Sequence, residues 1–111
     1  MVVHALHRPM HQRLVDDLLG ERSDLLGVAL VDGQGLCLAS GGVKAGEARR
    51  AGAAADTQVF SETLTLIEGE EGMVLLHRWS AEIMAVLVTD SAPHLGAVIA
   101  ASRHRLNLLA R

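Results

Sequence analysis

Aromatic side chains are almost missing from this chain: Trp79 and Phe60 stand alone and there is no tyrosine. Any core must therefore be built from Leu, Val, Ala, Ile and Met, and the surface has little with which to stack on nucleobases. Positive charge is not in excess either. Ten Lys and Arg against 13 Asp and Glu give a formal net charge of −3, which leaves no electrostatic footprint for nucleic acid or an anionic membrane. Cysteine is confined to Cys37, so no internal disulfide can form. Set in an apolar stretch, Cys37 reads as a small buried hydrophobe in a reducing compartment rather than a reactive thiol. No run approaches the ~18 consecutive apolar residues of a membrane span. The opening MVVHALHRPMHQ has neither a long apolar region nor a small-residue cleavage pattern, so a cytoplasmic protein is expected.

What is present is aliphatic: half of the 111 residues are apolar. A single domain of this length hides roughly two thirds of its unfolded surface, enough for a modest core. Residues 1–8 have no period and read as a flexible N-terminal arm, followed by one domain over 9–111. From Pro9, apolar Met10, Leu14 and Leu18 recur at helical spacing with Val15 and Leu19 beside them, and Gly20 suits the C-terminal cap. Then comes GVALVDGQGLCLASGG, Gly27 to Gly42, around which the rest is organised. Leu26–Asp32 is apolar at successive positions, so a strand made from it is buried on both faces. Asp32-Gly33-Gln34-Gly35 turns the chain back into a second strand, Leu36–Ser40.

An Ala-rich helix is expected from about Ala45 to Val59, although Gly46 and Gly52 each cost it about 1 kcal/mol relative to Ala. Its stripe of Ala48, Ala51, Gly52, Ala55 and Val59 can approach another backbone closely but buries little area. TLTLIE (Thr63–Glu68), Met73–Trp79 and Ile83–Thr89 read as three strands of an antiparallel meander. Asp90-Ser91 offers an N-cap and Pro93 a first turn for a closing helix faced by Leu95, Val98, Ile99, Ser102, Leu106 and Leu109. The fold class is thus α/β: a five-stranded antiparallel sheet in the order helix, two strands, helix, three strands, helix. Because the strands are apolar at both parities, helices must cover both faces, the first and last on one side and the small-residue helix on the other.

This succession, with LLGVALVDGQGLCLASGG as its hairpin and TLTLIEGEEGMVLLHRWSAEIMAVLVTD as its meander, resembles the Roadblock family from Pro9 onward. That family comprises small dimeric domains of dynein light-chain type and bacterial and archaeal regulators of Ras-like GTPases. The resemblance implies a dimer, a Ras-like small GTPase as protein partner, and no catalysis or cofactor of its own.

The residues themselves show no chemistry. Gly33-Gln34-Gly35 and Gly41-Gly42 do not make G-x-x-x-x-G-K-[ST], and Lys44 is not followed by Ser or Thr, so a P-loop is excluded. The serines lack a G-x-S-x-G elbow, and His77, His94 and His104 have no evident carboxylate to orient them. His4, His7 and His11 fall on one helical face, but Pro9 interrupts that helix and no Cys, Asp or Glu completes a metal set. Glu68, Glu70 and Glu71 read as a solvated turn rather than paired catalytic acids. Arg78 and Trp79 are either an exposed anchor for a partner or, for the tryptophan, a cap on the core at a strand end.

The expectation is therefore a non-catalytic, dimeric interaction module. A small-molecule sensor with an aliphatic pocket between sheet and helix is the alternative, and a structural subunit of a motor or scaffold is a third reading. The strand after the middle helix should lie at a sheet edge. Paired with its copy, Thr63, Leu64, Thr65, Leu66 and Ile67 would form a homodimer interface together with Ala48, Ala51, Gly52, Ala55 and Val59.

Overall fold

The computed structural model describes residues 2–55, 63–80 and 82–109, and the side chains of 10–55, 63–80 and 82–108. The elements follow the expected order: α1 (Val2–Glu21), β1 (Leu25–Asp32), β2 (Cys37–Gly41), α2 (Ala45–Ala54), β3 (Thr63–Glu68), β4 (Met73–Arg78), β5 (Ile83–Thr89) and α3 (Leu95–Leu109). They build one antiparallel sheet in the order β2-β1-β5-β4-β3. The last strand enters between β1 and β4, which pushes β2 and β3 to the two edges.

The central strands are the ones whose sequences are apolar at every position. In the register Val28↔Leu87 and Leu30↔Ala85, these side chains meet Leu14, Val15 and Leu18 of α1 and Val98 and Leu106 of α3. The alternate pairs, Ala29↔Val86 and Val31↔Met84, meet Ala48 of α2 on the opposite face. Both faces are therefore covered, α1 and α3 on one side and α2 on the other, as the patterning requires. Each large aliphatic side chain buried this way contributes about 1.5–3 kcal/mol.

Three helix boundaries differ from expectation. The first helix begins at Val2, so the residues expected to form a separate arm are continuous with it and Pro9 lies inside α1. Pro9 has no N–H to return to the Ala5 carbonyl, a defect that costs a helix about 3 kcal/mol without ending this one. The middle helix stops at Ala54, since Ala55 is already extended (φ −72°, ψ 148°). Val59 lies outside the described residues. The closing helix starts at Leu95, after Pro93, and the Asp90 carboxylate takes the Ala92 N–H at 3.0 Å in a turn of its own.

The third difference has a visible cause at Asp24. Its carboxylate accepts the His94 N–H at 2.9 Å, and its carbonyl accepts the Asp90 N–H at 3.0 Å. The N-terminal end of α3 is thus anchored on the loop before β1, which fixes where the helix can begin. Arg22 completes the clip, with Nε and Nη2 at 3.1 and 2.9 Å from the two carboxylate oxygens. The hydrogen bond from Arg22, with the His94 N–H adding to it, holds the Asp24 carboxyl below the usual aspartate range against the opposing effect of burial.

The opening hairpin owes its turn to Asp32, whose Oδ1 accepts the N–H groups of Gln34 (2.8 Å) and Leu36 (3.0 Å). A register shift at Leu30/Val31 starts β2 at Cys37, and the thiol is exposed there rather than buried. An edge strand at a bulge has one side without cover, which two-sided apolar patterning in the sequence does not reveal. Gly42 then lets α2 fold back close to β1. It sits at φ 91°, and a Cβ there would strike the Leu26 carbonyl, which the Lys44 N–H needs at 2.9 Å.

Candidate functional site

The two sheet edges are not equivalent. On β2, the Gln12 side chain of α1 donates to the Ser40 carbonyl at 3.1 Å, and Arg49 of α2 donates to the Ser40 hydroxyl at 3.0 Å. Both helical layers thus reach that edge. β3 pairs with β4 along its whole length, Thr63↔Arg78 through Glu68↔Met73, and no other described strand lies beyond it.

Neither face of β3 is covered. Leu64 and Leu66 lie opposite His77 and Leu75, which places them on the α1/α3 side, yet they are 41% and 39% exposed. Ile67 lies opposite Val74, on the α2 side, and is 51% exposed. α2 lies chiefly over β1 and β5, and α3 is tied to β4 at His77. The result is a strand of alternating Thr and aliphatic residues with an open hydrogen-bonding edge and two apolar flanks, the features that template pairing with another strand.

The small-residue stripe of α2 is turned the other way. Ala48 and Gly52 are buried against their own sheet, and a Cβ on Gly52 would come within 2.6 Å of Val31 Cγ2 and 3.3 Å of Val86 Cγ2. Ala51 and Ala55 are half-buried against the same cluster. The expectation that Ala48 and Gly52 meet a second copy is therefore corrected: their smallness lets α2 sit down on β1 and β5. The residues α2 presents outward are Glu47, Arg49, Arg50, Ala53 and Ala54.

Arg78 is corrected as well. It is 2% exposed, with Nη2 3.5 Å from Met84 Sδ, so it is no surface anchor. Its parity with Val74 and Leu76 on β4 points it into the α2-side layer, a signal that alternation in the sequence already carried. Trp79 is half-buried against the α1/α3-side core and stands edge-on to His77 at a ring separation of 6.0 Å. Its indole packs on the core at the end of β4.

His77 and Ser102 share a hydrogen bond at 2.8 Å between Nδ1 and Oγ. The distance is that of a base and a nucleophile, but both side chains are fully buried between sheet and α3. What the pair does is tie α3 to β4. Ser102 falls one helical turn from each of Val98 and Leu106, both buried, on the face of the closing helix where the sequence pattern places it.

Glu70 and Glu71 are exposed on the β3–β4 turn, with Glu71 3.8 Å from Lys44 Nζ. His11 is half-buried on α1, while the side chains of His4 and His7 lie outside the described residues. Among the described residues no group of three His, Cys, Asp or Glu side chains is placed to hold a metal ion, and no helix is long and apolar enough to cross a membrane.

This arrangement of sheet and helices resembles several solved structures. A Roadblock/LC7 domain from Streptomyces avermitilis superimposes with a TM-score of 0.73, covering 89% of this chain and 93% of its own, at 9% identity. The chain has the Roadblock/LC7 fold. The gliding protein MglB from Thermus thermophilus shares the fold with a TM-score of 0.66 over 95% of this chain and 89% of its own, at 19% identity. An MglB solved in a tetrameric arrangement matches with a TM-score of 0.64 over 92% and 88%, at 18% identity. No family model and no curated protein sequence matches the chain. The Roadblock fold is thus carried here by hydrophobic pattern and element order, with little residue identity.

Proposed function

We propose that this chain is a non-catalytic, cytoplasmic interaction module that forms a homodimer and binds or regulates a Ras-like small GTPase. The observation that carries the dimer is β3: a full-length edge strand, uncovered on both faces, opposite an edge that both helical layers contact. Antiparallel pairing of β3 with its copy would satisfy its free main-chain groups and bring Leu64, Leu66 and Ile67 against their mates. Thr63, Thr65 and these three residues form the interface in this reading, with α2 held to its own sheet. The likeness to an MglB solved in a tetrameric arrangement supports self-association.

The GTPase partner is what the Roadblock resemblance implies, and the fold shared with MglB supports that reading. The buried His77–Ser102 pair supports a non-catalytic role, because no substrate reaches it. The layers between sheet and helices are filled by packed Leu, Val, Ala and Met side chains, which favours a protein partner over an enclosed small ligand. The test is a pull-down of the purified protein against the small GTPases of the source organism, in GDP-bound and GTP-bound states. Retention of one of them, with no nucleotide binding or hydrolysis by this protein alone, is the expected result. Retention of none overturns the proposal.

A further inference from the structure

The helices that cover the sheet are not seated alike. The backbone of α2 lies close to β1 and β5, with Gly52 against Val31, and that of α1 lies close to β1 and β2. A Cβ on Gly41 of β2 would come within 3.0 Å of Leu19 Cδ1 and 3.1 Å of Val15 Cγ1, so α1 is pressed onto that strand. α3 makes no comparable approach: its close backbone neighbour is α1 rather than a strand. The side chains it buries are Val98, Ala101, Ser102 and Leu106. Its other ties among the described residues are polar. The His94 N–H donates to Asp24 at 2.9 Å, Ser102 meets His77 at 2.8 Å, and Arg105 lies 3.4 Å from Asp17 and 3.2 Å from Glu21. Water can replace each of these bonds when the helix moves away, and the Arg105 pairs are part-exposed already.

We propose that α3 is a removable cover, which opens as a unit on the Asp90–His94 link while α1, α2 and the sheet stay folded. Its release breaks no ladder hydrogen bond, since α3 pairs with no strand, and α1 keeps its own seat on β1 and β2. Elements that open below the global unfolding limit are those with few buried apolar contacts, and α3 is held by Val98 and Leu106 as its fully buried large side chains. Opening changes what the sheet displays. In the register Leu66↔Leu75↔Leu87, Leu66 is exposed while Leu75 and Leu87 are buried with Val98 and Leu106. Without α3 over it, this apolar row would run uncovered from the edge strand to the centre of the sheet. The cover thus makes an extended apolar face available only in the open form, a device that belongs to one protomer and is independent of β3 pairing and of the GTPase reading.

The experiment is amide hydrogen exchange of the full chain, resolved by NMR, in water and in low urea at one protein concentration. After correction for intrinsic rates, the α3 amides from Val98 onward should exchange together, about tenfold or more faster than those of β1 and β5. Their exchange should also respond less to urea, because opening α3 exposes less surface than unfolding the domain. Val31→Ala supplies the second arm. Val31 faces α2 on the far side of the sheet, so its contacts are the same whether α3 is closed or open. The variant should speed exchange in β1, α2 and β5 by about tenfold or more and leave α3 unchanged. The proposal is overturned if α3 shares the rate and urea dependence of β1 and β5, or if its amides fray one after another from the helix end. It is equally overturned if α1 opens with α3, or if Val31→Ala speeds α3 as much as the central strands.

Discussion

The same substitution at two glycines of α2 should have different effects. At Gly46 a new Cβ would meet only the ends of flexible side chains, Arg50 Nη1 at 3.4 Å and Arg49 Nη2 at 3.8 Å. Gly46→Ala should thus gain most of the helix-propensity difference, about 0.5–1 kcal/mol. At Gly52 the new Cβ would lie 2.6 Å from Val31 Cγ2, roughly 0.8 Å inside ordinary van der Waals contact. Val31 cannot retreat easily, because its β-branched side chain is stiff and it is 1% exposed in the centre of the sheet. Overpacking of this kind costs about 1–3 kcal/mol, against which the same propensity gain of about 1 kcal/mol is set, leaving Gly52→Ala neutral to about 2 kcal/mol destabilised.

The two variants should differ by about 1–3 kcal/mol, or roughly 4 °C in Tm for each kcal/mol in a domain of this size. Urea and thermal unfolding at one matched protein concentration provide the measurement, since self-association would make stability concentration-dependent. If Gly52→Ala proved as stabilising as Gly46→Ala, α2 would not be seated on β1 and β5 through Gly52. The reassignment of the small-residue stripe from a partner to its own sheet would then fail.

Three further outcomes are expected. The depressed pKa of Asp24 adds stability that is fully present above the ordinary aspartate pKa of 3.8 and is lost as pH falls through the lower folded-state value. Asp24→Asn should therefore flatten the acid limb of a stability-against-pH curve below about pH 4, and an unchanged limb would refute the clip at the start of α3. Ser102→Ala should cost about 1–3 kcal/mol by removing a buried partner of His77, measured by urea unfolding, and a neutral effect would show that the pair does not hold α3. Leu66→Lys combined with Ile67→Lys should convert a dimer into a folded monomer in light scattering, because both positions are exposed in the protomer and would bring like charges together across β3. A wild-type protein that is monomeric at tens of micromolar would refute the pairing outright.

The strands were the most legible part of the sequence. TLTLIE and IMAVLVT are bounded by turn residues and fill β3 and β5 from end to end, because Gly, Glu, Ser and Asp leave no doubt where the pleat stops. The covering of both sheet faces was also readable, since β1 and β5 are apolar at each parity. Helix ends were less legible because contacts distant in sequence set them. α3 waits until Leu95 because Asp24, far upstream, holds the His94 N–H. α1 runs through Pro9, which local rules treat as a start.

The candidate site was only half legible. That β3 lies at an edge follows from a meander whose other two strands must be central. Which way Arg78 and Gly52 face does not follow from composition. Arginine and tryptophan are common at interfaces and a small-residue stripe invites a partner helix, but both arguments concern residue types, while direction is fixed by parity and packing. Arg78 shares the parity of Val74 and Leu76, and Gly52 lies one helical turn from Ala48, which is buried on β1 and β5. Where type and parity disagreed, parity was the better guide.

This has a consequence for where a partner can act. Had Ala48 and Gly52 faced outward, one dimer interface would have joined α2 and β3, and the outer face of α2 would have been consumed by the contact. With the stripe turned inward, the proposed pairing rests on β3 alone, and Glu47, Arg49, Arg50, Ala53 and Ala54 are presented outward on the same side of the sheet as Ile67 and Thr65. A dimer built through β3 would repeat this surface across its two-fold axis, giving a continuous face twice the width of a protomer. Glu47→Lys with Arg50→Glu should then impair GTPase retention in the pull-down while leaving the light-scattering mass unchanged, and loss of both together would show that the two surfaces are not separate.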